Sequence, residues 1–150
     1  MNDHEINTLN LNHYKDRLKL FIIESIHRFM DVESRPRMIG IYSHPGYGWV
    51  STNYNTDSKY ELSNLNCPDF EFPEFDIIEF PAWEECYWSE NKKLINIHRD
   101  IIVIRSDEGD EKFKNPFYDL LVSVVKEITE YRDATYFVQI LDSELSGEVK

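Results

Sequence analysis

A chain of 150 residues that is 41% hydrophobic and 14% aromatic has enough apolar surface for one folded domain, 1–150, and is not disordered although 29% of it is charged. Its formal net charge of -12 opposes DNA, RNA and anionic membrane surfaces, all of which call for Lys and Arg. The longest apolar runs, such as Leu20 to Ile23, fall far short of the roughly 20 residues that span a bilayer, and the polar, acidic Met1-Asn2-Asp3-His4-Glu5 is unlike a secretory signal, so a cytoplasmic protein is expected.

In chain order, Tyr14, Leu18, Ile22, Ile26, Phe29 and Met30 recur at spacings of three and four, which predicts an amphipathic helix over 13–31 with Asn12 as its cap. Its other face carries Lys15, Arg17, Lys19 and Arg28, a local basic surface placed to meet acids elsewhere in the chain. Pro36 stops the helix. Met38 to Tyr42 and Trp49 to Tyr54 read as the two strands of a hairpin joined by His44-Pro45-Gly46-Tyr47-Gly48. Val50, Thr52 and Tyr54 alternate with Trp49, Ser51 and Asn53, which predicts one apolar and one wet face. Beyond a polar stretch at 53–66, Pro68 and Pro73 confine the chain to an edge or loop path, with a strand expected over Phe75 to Phe80. Ala82 to Ile97 is ambiguous, with a short helix through Ser89 preferred. Asp100 to Arg105, holding Ile101-Ile102-Val103-Ile104, suits a central strand. Ser106 to Lys114 is a charged loop, after which Asn115 caps and Pro116 opens a helix. That helix carries Phe117, Leu120, Leu121, Val124, Val125 and Ile128 on one face. Thr135 to Asp142 is a last strand and Ser143 to Lys150 a polar tail. Strands and helices without regular alternation predict an α+β fold, a mostly antiparallel sheet with two main helices packed on one face.

One segment departs from the rest in composition. Tyr60 to Asn91 holds no Lys, Arg or His but nine acids, and Pro68 to Trp88 interleaves seven of them with seven aromatics. Phe70, Phe72, Phe75 and Phe80 are expected in the core, as large apolar side chains usually are. The carboxylates repel one another, so their concentration calls for a role beyond solubility. Asp69, Glu71, Glu74, Asp76, Glu79, Glu84 and Glu85 therefore form a candidate partner-binding face. Trp83, Tyr87 and Trp88 are its aromatic anchors, the residue types that dominate interface energetics.

No catalytic, cofactor or metal set can be assigned. Cys67 and Cys86 form no CxxC, and His4, His13, His27 and His98 have no metal-ligand spacing. Gly46-Tyr47-Gly48 leads into a strand rather than the helix N-terminus that a phosphate loop needs. The Asp107-Glu108-Gly109-Asp110-Glu111 loop lacks the spaced ligands of a calcium loop, and the adjacency of Glu84 and Glu85 does not place two carboxylates across a cleft. His44 stands beside its turn with no nucleophile near it in sequence.

In outline, the first helix, the hairpin Ile39-Gly40-Ile41-Tyr42 to Gly48-Trp49-Val50-Ser51, the acidic aromatic middle, the helix from Pro116 and the final strand into Asp142-Ser143-Glu144 resemble small bacterial proteins, some of which are immunity proteins of polymorphic toxin systems. That resemblance implies a non-enzymatic protein whose carboxylates imitate phosphates and block a basic toxin domain such as a nuclease. Two other classes remain open at this point. One is a small enzyme whose site lies near the 42–49 hairpin, with His44, Tyr47 and a carboxylate lining a pocket; the other is a self-associating subunit joined through Trp83, Tyr87 and Trp88.

Overall fold

The computed structural model describes residues 6–56, 66–84, 86–88, 94–96, 101–105, 116–128, 130–141 and 145–149; of these, 6–10, 12, 46, 84, 86–88, 94–96, 101–105 and 116 are described by backbone alone. Strand β1 (Ile6–Asn10) leads through a 3-10 turn, Leu11–Tyr14, into helix α1 (Lys15–Val32). The hairpin strands β2 (Met38–His44) and β3 (Trp49–Asn55) follow, then β4 (Phe72–Glu79) and the one-turn helix α2 (Pro81–Glu84). The short strands β5 (Cys86–Trp88) and β6 (Leu94–Asn96) precede β7 (Ile101–Arg105). Helix α3 (Pro116–Glu127), β8 (Thr135–Ile140) and β9 (Ser146–Val149) complete the described elements.

The larger sheet has the order β4-β3-β2-β8-β9, the smaller β1-β7-β6-β5. Parallel pairing occurs between β2 and β8 and between β1 and β7, and the other pairings among the described residues are antiparallel. The class is α+β, with the larger sheet mixed because β8 returns beside β2 by way of α3.

The apolar stripe of α1, Leu18, Ile22, Ile26 and Phe29, and that of α3, Phe117, Leu120, Leu121, Val124, Val125 and Ile128, are buried in one cluster with Ile39, Ile41, Val50, Tyr54, Tyr136, Val138 and Ile140 of the larger sheet. Both helices thus lie on the same sheet face, and each fully buried Leu, Ile or Phe stabilises the fold by about 1.5 to 3 kcal/mol. Phe29 joins helix to strand, stacked on Tyr54 at 4.2 Å and meeting Phe72 and Phe75 edge-on at 5.2 Å. A hydroxyl cluster sits inside that interface: Ser25 Oγ lies 2.7 Å from Thr52 Oγ1 and 2.6 Å from Tyr54 Oη. Burial pushes the Tyr54 phenol up to about 12.

Several expectations need correction. Asn12 does not cap α1: it lies in the 3-10 turn, and Tyr14 takes the cap position without a side-chain bond. The second face of the hairpin is polar in β3 but not wet, because Ser51, Asn53 and Asn55 are fully buried. Cys67 and Phe70 fold back over it, and a Cβ on Gly40 would come within 2.8 Å of the Phe70 ring and 2.9 Å of Cys67 Sγ. The helix expected through Ser89 ends at Glu84 and gives way to β5. The strand over Thr135 to Asp142 ends at Ile140 and is not the last, since β9 in the polar tail pairs antiparallel with it. The isoleucine-rich strand β7 is an inner strand of the smaller sheet rather than of the larger one. Asn115 lies outside the described residues.

Candidate partner-binding face

The acidic segment forms an edge. From Asn66 the chain makes a 3-10 turn, Cys67–Asp69, anchored by the Cys67 amide donating to Gln139 Oε1 at 2.8 Å and by Gln139 Nε2 donating to Asn66 Oδ1 at 2.8 Å. It then runs antiparallel to β3 as β4, whose other side has no partner strand among the described residues. Two buried asparagines of β3 hold it there. Asn55 Oδ1 accepts from the Glu71 amide at 2.7 Å, and Asn53 Oδ1 accepts from the Glu74 amide at 2.8 Å while its Nδ2 donates to Gly40 O at 3.0 Å. Between the pairs Thr52↔Asp76 and Tyr54↔Phe72 the register shifts, with Glu74 at φ 50. A non-glycine residue in the left-handed region costs on the order of 1 kcal/mol, and here the Asn53 bond supports it. The bulge turns Glu74 outward, where it is exposed.

Past the bulge the strand alternates. Asp76 and Ile78 pair with Thr52 and Val50 on the helix face, whereas Ile77 and Glu79 pair with Ser51 and Trp49 on the opposite face. Asp76 meets the basic side of α1: Arg28 contacts its Oδ2 through Nη2 at 3.1 Å and Nε at 3.2 Å. Arg17 lies over the Phe80 ring, 5.3 Å from its centre. The basic face of α1 therefore does meet the acidic segment, and it neutralises Asp76. Glu71 accepts from Thr56 N at 3.0 Å and Thr56 Oγ1 at 2.7 Å, and Asp69 accepts from Asn66 Nδ2 at 3.3 Å. Neither Glu74 nor Glu79 is ion-paired with a described residue. Asp69, Glu71, Glu74 and Glu79 are all exposed.

The aromatics of the segment divide. Phe70 and Phe80 are buried, and Phe72 and Phe75 are half-buried against the core. Trp83 is 0% exposed, stacked on Phe80 at 4.6 Å and close to Tyr14 and Phe117, so it is a core residue rather than an anchor offered to a partner. Its buried indole Nε1 has no hydrogen-bond partner among the described residues. Glu85 lies outside the described residues, as do the side chains of Glu84, Tyr87 and Trp88. The backbone of β5, which carries Tyr87 and Trp88, packs against the Pro45–Tyr47 turn, as does α2.

The strand register places that turn beside the acidic edge. His44, Trp49 and Glu79 occupy one cross-strand row. His44 Nδ1 accepts from the Tyr47 amide at 3.2 Å and so caps the turn, which Gly48 closes at φ 70. The His44 ring lies 4.4 Å from Tyr47 and 6.4 Å from Trp49, and Trp49 lies 5.4 Å from Tyr42. Tyr47 is 67% and Ile77 50% exposed. Cys67 is buried, which pushes its thiol well above the ordinary range and leaves it a packing residue rather than a nucleophile.

An α+β fold that exposes Asp69, Glu71, Glu74 and Glu79 on and beside strand β4 is what this geometry defines. The chain is similar to a protein named Immunity protein YxxD from Bacillus subtilis (strain 168), 26% identical over 135 residues that take in 81% of this chain and 86% of the relative. The resemblance to immunity proteins in outline is thus matched along most of the chain. No family model and no solved structure matches it.

Proposed function

We propose that this chain is a non-enzymatic immunity protein that neutralises a basic toxin domain, such as a nuclease, by covering its cationic substrate surface with the acidic face around β4. What carries this reading is the similarity to an immunity protein over four fifths of the chain. The exposed carboxylates of Asp69, Glu71, Glu74 and Glu79 support it. In this reading their carboxylates imitate the phosphates of the toxin's own polyanionic substrate, and they would speed encounter by roughly 10 to 10³ in a salt-sensitive way. The net charge of -12 makes nucleic acid and anionic lipid unsuitable ligands in the same model of action. No described helix is long and apolar enough to cross a membrane.

The test is co-expression with the basic domain encoded in the neighbouring open reading frame. Growth should be rescued, and the purified pair should bind less tightly as salt is raised. Glu74 and Glu79 are the carboxylates to change, since Glu71 and Asp76 make internal bonds whose loss would disturb β4. The variant E74K/E79K should weaken capture by roughly tenfold or more with an unchanged fold. Absence of rescue rejects the immunity role, and unaltered capture by the variant rejects the acidic face.

A further inference from the structure

At the turn end of the hairpin Tyr47 is exposed, while Trp49 is half-buried and rests on the edge of the smaller core cluster through Tyr42. Tyr47, His44 and Trp49 form a chain of ring contacts at 4.4 and 6.4 Å, and the cross-strand row His44↔Trp49↔Glu79 ends that chain on a carboxylate. One row further along the same sheet face, Ile77 exposes 50% of its surface on an edge strand, a position that soluble proteins usually give to charge. Exposed ring, exposed aliphatic side chain and carboxylate therefore share one face beside the acidic edge.

We infer that this patch, Tyr47, Trp49 and Ile77 with Glu79, is the centre of the partner interface and receives a Lys or Arg side chain of the cationic partner. The inference rests on the proposed function and adds residues that the acidic segment does not contain. The chemistry is complementary at each part. A ring face attracts a cation within about 6 Å. Glu79 supplies the counter-charge, and Tyr47 and Ile77 supply the apolar area that excludes water around the pair. A second copy of this chain is the poorer occupant, because two surfaces of the same sign would face each other in a protein of net charge -12.

A hepta-arginine and a hepta-lysine peptide, titrated into the isotope-labelled chain and followed by backbone and indole amide shifts, test the inference. Shifts should cluster at Tyr47, Trp49, Ile77 and Glu79, and the Trp49 indole signal should move. The variant Y47A/I77S should bind roughly fivefold more weakly with the salt dependence of the parent, and Tyr47→Leu, which keeps bulk but removes the ring, should lose roughly threefold. Shifts confined to the surroundings of Asp69, Glu71 and Glu74, or no shift at millimolar peptide, overturn the patch. The single variant E74K keeps this test apart from the toxin-capture experiment, because Glu74 lies outside the patch and Y47A/I77S changes no charge.

Discussion

Tyr54 concentrates the physical chemistry of the helix-sheet interface in one side chain. Its ring stacks on Phe29, its hydroxyl bonds Ser25, and burial is the main reason its phenol is pushed up to about 12 from an ordinary 10.0. Because the folded state holds the proton more tightly than the unfolded chain, the sign follows from linkage. The contribution is fully present below about pH 10 and is lost as pH rises from there through about 12, amounting to about 3 kcal/mol for the two-unit difference. Tyr136 and Cys67 are raised in the same direction by burial. Thermal unfolding midpoints should be level to about pH 9 and fall steeply above pH 10, and Tyr54→Phe should make that fall shallower. Equal slopes in the two proteins would show that Tyr54 does not carry the effect. Periodicity marked Tyr54 as inward-facing, but the hydroxyl of Ser25 opposite it was illegible. A serine inside an apolar stripe gives no local sign of which strand it will face.

Strand β4 shows how an element can be legible in kind and not in detail. Alternating acids and aromatics flanked by prolines mark an extended edge, and that is where Phe72–Glu79 lies. The bulge at Glu74 depends on Asn53, a residue of another strand, and the neutralisation of Asp76 depends on Arg28, from a helix nearly fifty residues earlier. The Arg28 and Asp76 side chains are 49% and 23% exposed, so that pair adds less than about 1 kcal/mol, and its weight is in setting which carboxylates remain for a partner. Asn53 matters more. Replacing it with Ala removes the acceptor for the Glu74 amide and the donor to Gly40 O, and should cost about 1 to 3 kcal/mol. The Glu74 amide should then exchange hydrogen much faster while amides of β8 keep their relative protection. Unchanged exchange at Glu74 would mean that the bulge is held by something other than Asn53.

At the scale of the molecule, β2 is the organising strand, with β3 antiparallel on one side and β8 parallel on the other. Its residues alternate between the helix-covered cluster, with Ile39 and Ile41, and the smaller cluster of Met38, Tyr42, Cys67, Phe70 and Phe137. Burial on both faces predicts that β2 and β8 amides exchange only through global unfolding, whereas the edge strands β4 and β9 exchange through smaller openings. Native-state hydrogen exchange checks this, and β4 protected as strongly as β2 would contradict it. What the amino-acid sequence determined by itself was local: two amphipathic stripes, a hairpin with its proline and glycine turn, the α+β class, and an acidic aromatic segment. Only the tertiary structure decided that Trp83 lies in the core, that Asp76 is already paired, that the polar hairpin face is covered by Cys67 and Phe70, and that Trp49 lies between His44 and Glu79 in one cross-strand row. The reason is that periodicity and turn chemistry act between near neighbours along the chain. Burial and charge pairing are settled by the register between strands and helices that meet only in the fold.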